Sequence, residues 1–600
     1  MPAGGYFGRV LVSDVTSGTS QSRPLPDSVL RGYVGGSGLG TWLLYRLGTP
    51  GADPLGPAAP LAFVFSPLVG TPLTTSAKFA VVAKSPLTGM LTDALASSQF
   101  AIAGKLTGHD AIVIDGRAPE LSVLLVDGGG TRLIGAAHLA GLTAAETDRQ
   151  LRGELGRGWR VAAIGPAGER GIRYATISHD GRHAGRGGLG AVMGAKNLKA
   201  IAVRAATKVA TADPAAVLAA AHDLRERSFG PATAKYRELG TLANLLAFNA
   251  ISALPTRNFQ AATFDGTAEL AGDGPADVQG MRRVARNSCA SCTIGCEHIY
   301  RSRGGQQARL EYENVFALGP MCGVRDPDAV LAASARCDEL GLDTISAGGT
   351  IAWAMECAER GLIDAPWLRF GDPAALLRVL DEIGGLGTPL GALLAEGSRR
   401  ASQIVGADSA SFASHVKGLE MPGYEPRTLH SMALGLAVNA RGADHNRSGA
   451  YEADLSGDLD RLDGGDAHVT AAIETEDRAA VMDSLILCKF LRGVFTDPFA
   501  EWAGLLSAVT GWDVTGEELH ATARRIVMAK RVYNIREGWQ PADDWLPDRL
   551  LNESLTLPSG RVAGLTADRL RAMIGSYYKM RGLDPEGRPR MPVADDLGLA

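Results

Sequence analysis

The sequence predicts an α+β protein, with a β-rich N-terminal third followed by a mainly α-helical remainder. Three observations predict it. From Tyr6 to about Val203, short β-branched runs alternate with Gly and Pro turns. Beyond Asp213 the apolar spacing becomes helical. At 600 residues the chain exceeds what one core ordinarily serves, so two or three domains are expected.

The strands fall at Val10-Leu11-Val12, Leu61 to Phe65, Phe79 to Val82, Ala111 to Ile114, Val123 to Val126 and Ile201 to Val203. Helices interleave around Gly40 to Leu44 and from Ala144 to Leu155, and Ala205 to Ala212 reads as a linker. Asp213 as cap and Pro214 in the first turn open a helix that runs to about Arg227. Asp326 and Pro327 open another, through Cys337 to Leu340, which Gly341 stops. Asp343 then caps a helix from Thr344 to Arg360, and a further helix is expected from about Glu476 to Leu491, carrying Asp483 and Cys488.

Composition excludes several functions. A net charge of -5, with no basic stripe or arginine-rich run alternating with aromatics, argues against a nucleic-acid partner. No apolar run reaches the ~20 residues of a membrane span. The N-terminus Met1-Pro2-Ala3-Gly4-Gly5-Tyr6 lacks the basic and apolar regions of a secretory signal. Seven cysteines, three of them clustered, favour metal ligation over disulfides, and a cytoplasmic location is expected.

Three motifs carry chemistry. Cys289-x2-Cys292-x3-Cys296 lacks the second knuckle of a usual zinc site, so an iron-sulfur cluster is favoured over zinc, with a fourth thiolate to be found among Cys322, Cys337, Cys357 and Cys488. The run Ala184-Gly185-Arg186-Gly187-Gly188-Leu189-Gly190, continuing to Gly194 and Lys196, suits either a phosphate cradle, with Arg182, Arg186 and Lys196 supplying charge, or a structural turn. Asp338-Glu339-Leu340-Gly341-Leu342-Asp343 and Asp483-x4-Cys488 look like two related half-sites. Their carboxylates either accept hydrogen bonds from a heterocycle or, on the plainer reading, cap helices.

These motifs stand in the order and spacing of the aldehyde ferredoxin oxidoreductase family. Lys84-Ser85-Pro86-Leu87-Thr88-Gly89, Ile164-Gly165-Pro166-Ala167-Gly168-Glu169, Glu311-Tyr312-Glu313 and Asn439-Ala440-Arg441-Gly442-Ala443-Asp444-His445 also match, so the resemblance spans essentially the whole chain. It implies a tungsten, occasionally molybdenum, atom held by two pyranopterins, a magnesium ion bridging the pterin phosphates, and one 4Fe-4S cluster on Cys289, Cys292, Cys296 and Cys488. It places Asp338, Leu342 and Asp343 at one pterin, and Asp483 and Leu487 at the other. Arg182, His183, Ala184 and Gly185 match the segment near phosphate and magnesium, and Lys78, Leu95 and Ser97 complete the cofactor-binding set.

The sequence also departs from the family pattern. Lys78 stands where the archetype has an arginine, Leu95 replaces an asparagine, Ser37 an arginine and Ile486 a glycine. The family's intersubunit Glu-x-x-His metal site falls at Ala332-Ala333-Ser334-Ala335, so any homodimer forms without it. The resemblance further implies a double-sheet cofactor-binding domain over 1–206 and helical domains over 207–420 and 421–600. Glu313 and His445 align with residues beside the metal. A carboxylate there can accept a proton from water, and an imidazole can donate a hydrogen bond to an aldehyde oxygen. The implied activity is oxidation of an aldehyde to a carboxylic acid, with electrons leaving to ferredoxin or an iron-sulfur partner subunit. The alternatives are a tungsten subunit of an aromatic acyl-CoA reductase-like complex and a non-catalytic electron-transfer subunit.

Overall fold

Residues 3–271, 281–590 and 593–599 are described by the computed structural model. Strands β1 (Arg9–Asp14), β2 (Thr19–Pro24), β3 (Leu61–Val64), β4 (Lys78–Lys84), β5 (Leu91–Ser97) and β6 (Ala111–Asp115) form one sheet, in the order β2-β1-β6-β3-β4-β5. Strands β7 (Ser122–Asp127), β8 (Gly130–Gly135), β9 (Trp159–Ile164), β10 (Ile177–His179), β11 (Arg182–Ala184) and β12 (Leu198–Arg204) form a second, in the order β11-β10-β9-β12-β7-β8. Both sheets are mixed: β1 runs parallel to β6 and β12 to β7, while the other neighbours are antiparallel. All six expected strands are present, and the expected helices appear as Gly36–Leu47 and Ala144–Leu155.

Alternation of side chains along the strands sorts the cores. Phe63, Phe79, Val81 and Ile112 of the first sheet meet Leu124, Ile164, Ile177 and Ile201 of the second in a shared apolar layer. The opposite face of the first sheet, with Val64, Ala80 and Val82, packs on Leu39 and Leu43 of Gly36–Leu47 and on Ile526 and Tyr533 of the helix Gly516–Arg536. That second face matters for function. Lys78 pairs with Ser97, Ala80 with Leu95 and Val82 with Asp93, so the period of two brings Lys78, Leu95, Ser97 and Asp93 onto the side that meets the helical part of the chain.

The helical remainder follows the capping signals. Asp213, Asp326 and Asp343 accept backbone N–H groups at the starts of Pro214–Arg227, Pro327–Leu340 and Thr344–Glu359. The helix expected over 476–491 instead spans Asp466–Leu485, so Cys488 lies beyond it. Ile486 is left-handed (φ 64, ψ 37) and ends the helix, with its N–H on the Met482 carbonyl. A small sheet of β13 (Arg282–Asn287), β14 (Glu297–Arg301) and β15 (Gln307–Arg309) interrupts the helical region. Its polar, arginine-rich strands have no apolar alternation to announce them.

Candidate functional site

The three clustered cysteines occupy the connection of a hairpin. Asn287 of β13 faces Glu297 of β14 as the last pair of the ladder, and residues 288–296 close it. Thr75, held at φ 65, ties this loop to the fourth cysteine: its N–H donates to the Ser291 carbonyl (2.8 Å), and its Oγ1 accepts the Cys488 N–H (3.3 Å). All four thiols are free and half-buried. Burial lowers the Lys78 ammonium pKa, but Cys488, Cys289, Cys292 and Cys296 outweigh it and raise the value above the ordinary range, so this cation is electrostatically coupled to all four cysteines. Arg182 is likewise lowered by burial and raised overall by Cys289, Glu297, Glu311 and Cys296.

Burial and the neighbouring cysteines push the Cys292 thiol up to about 11 and Cys296 higher still. Such thiols give up their protons readily only to a strongly bound cationic centre. Among the described residues, no three His, Cys, Asp or Glu side chains are grouped so as to hold a single metal ion. Cys322, Cys337 and Cys357 are buried within the apolar core.

The two half-sites share one backbone design. Asp338 and Asp483 each lie two residues before the end of a helix, at Leu340 and Leu485. A left-handed residue follows, Gly341 or Ile486. The next N–H, of Leu342 or Leu487, returns to the carbonyl of Cys337 or Met482 at 2.9 and 3.0 Å. Ile486 therefore reproduces the glycine's shape. Of the capping readings only Asp343 holds, since its Oδ1 accepts the Ile345 N–H. Asp338 and Asp483 sit at the negative ends of their helices, where carboxylates are disfavoured and need other partners. For Asp338 the partner is His183, whose Nε2 is 3.1 Å away and whose Nδ1 lies 2.7 Å from Ser178 Oγ. Burial raises the Asp338 carboxyl, and His183 brings it below its ordinary value.

Asp483 joins a buried ionic network. Its oxygens lie 3.0 Å from Lys489 Nζ and 3.2 Å from Arg447 Nη1, without hydrogen-bond geometry. Arg447 also donates to Asp93 (3.0 Å), which receives Ser37 Oγ (2.5 Å) and faces Lys530 (3.5 Å). Arg441 pairs with Asp444 at 2.9 Å, and Arg186 pairs with Asp343 at 3.3 Å and donates to the Ala443 carbonyl at 2.6 Å. Asp93 was missed from sequence, although it lies two residues before Leu95 on the same strand face. Lys489 and Lys530 were missed as well, and nothing in their spacing marks them.

The Gly-rich run divides between its two readings. A Cβ on Gly188 would lie 2.0 Å from the Arg173 carbonyl, and one on Gly194 would lie 1.9 Å from that of Gly168, so these glycines serve close packing. Gly185, between Ala184 and Arg186, faces open space. Lys196 turns away, its Nζ 3.2 Å from the Gly116 carbonyl, and so does not supply charge to the site. Leu95 is half-buried against the helix-facing side of the first sheet, and Ser97 Oγ donates to the Ala77 carbonyl.

Glu313 and His445 come together from distant segments, with Oε1 3.5 Å from Nδ1. Glu313 stands in the first turn of the helix Tyr312–Leu318, and its other oxygen accepts the Gly423 N–H (3.1 Å). Asp444 accepts the Asn446 and Arg447 N–H groups at 2.9 and 3.0 Å and so orients His445. The imidazole stacks on Tyr424 (centroids 5.2 Å), which in turn stacks on Tyr451 (4.8 Å). Burial, then Asp444 and Asp343, raise Glu313 to about 8 against the pull of Gly423 N–H and Arg186. Burial, with Arg186, Arg492 and Arg441 outweighing Asp444, lowers His445 to about 3. Near neutrality the proton therefore resides on the carboxyl and the imidazole is uncharged.

Similarity to known proteins identifies the family of the chain. The family models for the aldehyde ferredoxin oxidoreductase N-terminal domain and for its domains 2 and 3 match residues 10–205 and 219–599. The tungsten-containing aldehyde ferredoxin oxidoreductases of Pyrococcus furiosus and Thermococcus kodakarensis are 35% and 34% identical, with 99% of each chain covered. An aliphatic sulfonate oxidoreductase WOR-like subunit of Pyrococcus furiosus is 28% identical over 99% of this chain and 97% of its own. The active site complex BamBC of benzoyl coenzyme A reductase, in complex with 1,5-dienoyl-CoA, shares the fold with a TM-score of 0.85 at 23% identity, covering 100% of this chain and 97% of that one. With matches along its whole length and both half-sites built alike, the chain belongs to the aldehyde ferredoxin oxidoreductase family of oxidoreductases.

Proposed function

We propose that the protein oxidises an aldehyde, RCHO + H2O giving RCOOH with two protons and two electrons, in the cytoplasm, and passes the electrons to ferredoxin or an iron-sulfur partner subunit. The observation that carries this reading is the facing pair Glu313 and His445 beneath an aromatic wall, 3.5 Å apart, with Oε1 and Nδ1 lacking hydrogen-bond partners of their own. As a carboxylate, Glu313 accepts a proton from the attacking water, and the neutral His445 ring donates a hydrogen bond to the aldehyde oxygen as charge develops. Tyr424 stacks on His445 and Tyr451 on Tyr424, and this aromatic wall would limit the access of bulk water.

The residues present suit the family's cofactors. Asp338, Leu342 and Asp343 would hold one pterin, and Asp483 and Leu487 the other, with Lys78, Leu95, Ser97, Arg182 and His183 beside them and magnesium near Ala184 and Gly185. The support is the donor set itself. Both Asp483 oxygens and the Arg441 Nε and Nη2 are buried without hydrogen-bond partners, and Gly185 leaves room for close approach. Cys289, Cys292, Cys296 and Cys488 would hold a 4Fe-4S cluster, whose irons each take one thiolate. When bound, a tungsten or molybdenum bis-pyranopterin supplies the two-electron acceptor and the cluster the one-electron exit.

A second reading, the metal subunit of an aromatic acyl-CoA reductase-like complex, is favoured by the same carboxyl. Below pH 8 Glu313 is an acid able to donate a proton, a role that His445, at about 3, does not fill. Assays of aldehydes with a viologen dye and of aromatic acyl-CoA with a strong reductant separate the two. Turnover with the second substrate class alone would reject aldehyde oxidation.

A further inference from the structure

The hairpin that carries the cysteine triplet is rich in arginine. Between Met281 and Arg309 the chain holds six arginines and a single glutamate, although the whole protein is acidic at -5; Arg303 pairs with Asp328 at 2.7 Å, and Arg309 stands 3.9 Å from Glu297 and from Glu311. Arg282 on β13 and Arg301 on β14 are exposed and directly opposite each other, an arrangement in which like charges oppose pairing. Among the described residues neither they nor Arg286 has a carboxylate partner. Arg286 donates to the Arg237 carbonyl (3.2 Å), and Arg301 reaches the neutral amide of Gln307. The Arg282–Arg301 pair lies four residues along β14 from the last ladder pair before the loop, about 14 Å at ~3.4 Å per residue. Among the described residues, an exposed Arg–Arg pair without a carboxylate partner this close to the cysteine loop suits an anionic surface.

We propose that the arginine face of β13 and β14 docks an acidic protein carrying a one-electron iron-sulfur centre. This proposal rests on the reading of the four cysteines as cluster ligands. The face is built from the strands that hold the triplet, so a bound carrier is brought to the loop by the ladder register itself. Rim charges of this kind act chiefly through the association rate and its salt dependence.

The test uses anaerobically purified holoprotein and an acidic 4Fe-4S ferredoxin. Binding is measured at low and at physiological ionic strength for the native chain, the triple variant Arg282→Gln/Arg286→Gln/Arg301→Gln and the corresponding Arg→Lys triple. Affinity is expected to fall about tenfold in the glutamine variant with a flatter salt dependence, to be retained in the lysine variant, and dye-linked turnover to stay unchanged in both. Iron content and the visible cluster absorption are recorded first. Absence of the cluster from native protein would remove the underlying reading and the proposal with it. A cluster-replete glutamine variant that binds ferredoxin as tightly as the native chain would overturn the proposal alone, as would native protein that binds an oligonucleotide but not ferredoxin on this face.

Discussion

At Glu313 burial and two neighbouring carboxylates prevail over one N–H and one guanidinium, so the side chain becomes a base only above about pH 8. For aldehyde oxidation, kcat/KM is therefore expected to rise with pH through about 8, and Glu313→Gln to abolish that limb and lower kcat by ~10²–10⁴-fold at unchanged metal content. A pH profile identical in the variant would reject the assignment. Asp93 is a different case. Burial raises its carboxyl, but Arg447, Lys530 and Arg441 prevail and hold it well below the ordinary range. Its stabilisation is thus complete above the unfolded value, ~4, and is lost as pH falls toward the lower folded value. Asp93→Asn leaves buried cations uncompensated and is expected to cost about 3–5 kcal/mol in denaturant unfolding at neutral pH. Glu313 and His445 were singled out only through the resemblance, because they stand inside motifs that match the family. Asp93, Lys489 and Lys530 were not, because a single charge on a strand or helix has no spacing to betray its partner.

Among the elements, the half-sites show why a spacing can be read while its geometry is not. Asp-x4-Asp and Asp-x4-Cys suggested relatedness, but an Ile in the place of Gly341 gave no sign of the left-handed turn that it adopts at a cost of about 1–2 kcal/mol. The helix before it was accordingly expected to run on through Cys488. Within the Gly-rich run, Gly188→Ala places a Cβ against the Arg173 carbonyl at a positive φ and is expected to destabilise by about 2–4 kcal/mol in thermal or denaturant unfolding. Gly185→Ala meets no protein atom and is expected to leave stability unchanged while lowering the pterin content of purified protein. Equal losses of stability in the two would show that the whole run is structural.

Over the whole molecule, segments far apart in the chain are brought together beside the two sheets. Thr75 binds both the triplet loop and Cys488, and Arg447 joins Asp93 of β5 to Asp483. Among the described residues no helix is long and apolar enough to cross a membrane. Cys488→Ser is expected to retain the fold but to lower iron, by elemental analysis, well below the ~4 atoms of a single cube. Unchanged iron would remove Cys488 from the ligand set. The sequence by itself determined the α+β class, the helix starts set by Asp caps, the cysteine triplet and the order of the motifs, because each is written in local spacing. Only the tertiary structure decided that Asp93 faces Arg447, that Lys196 turns from the site, that Cys488 lies past a helix end and that the Glu313 proton is held to about 8. Those outcomes depend on burial and on charges brought together from far apart in the chain, which local spacing does not encode.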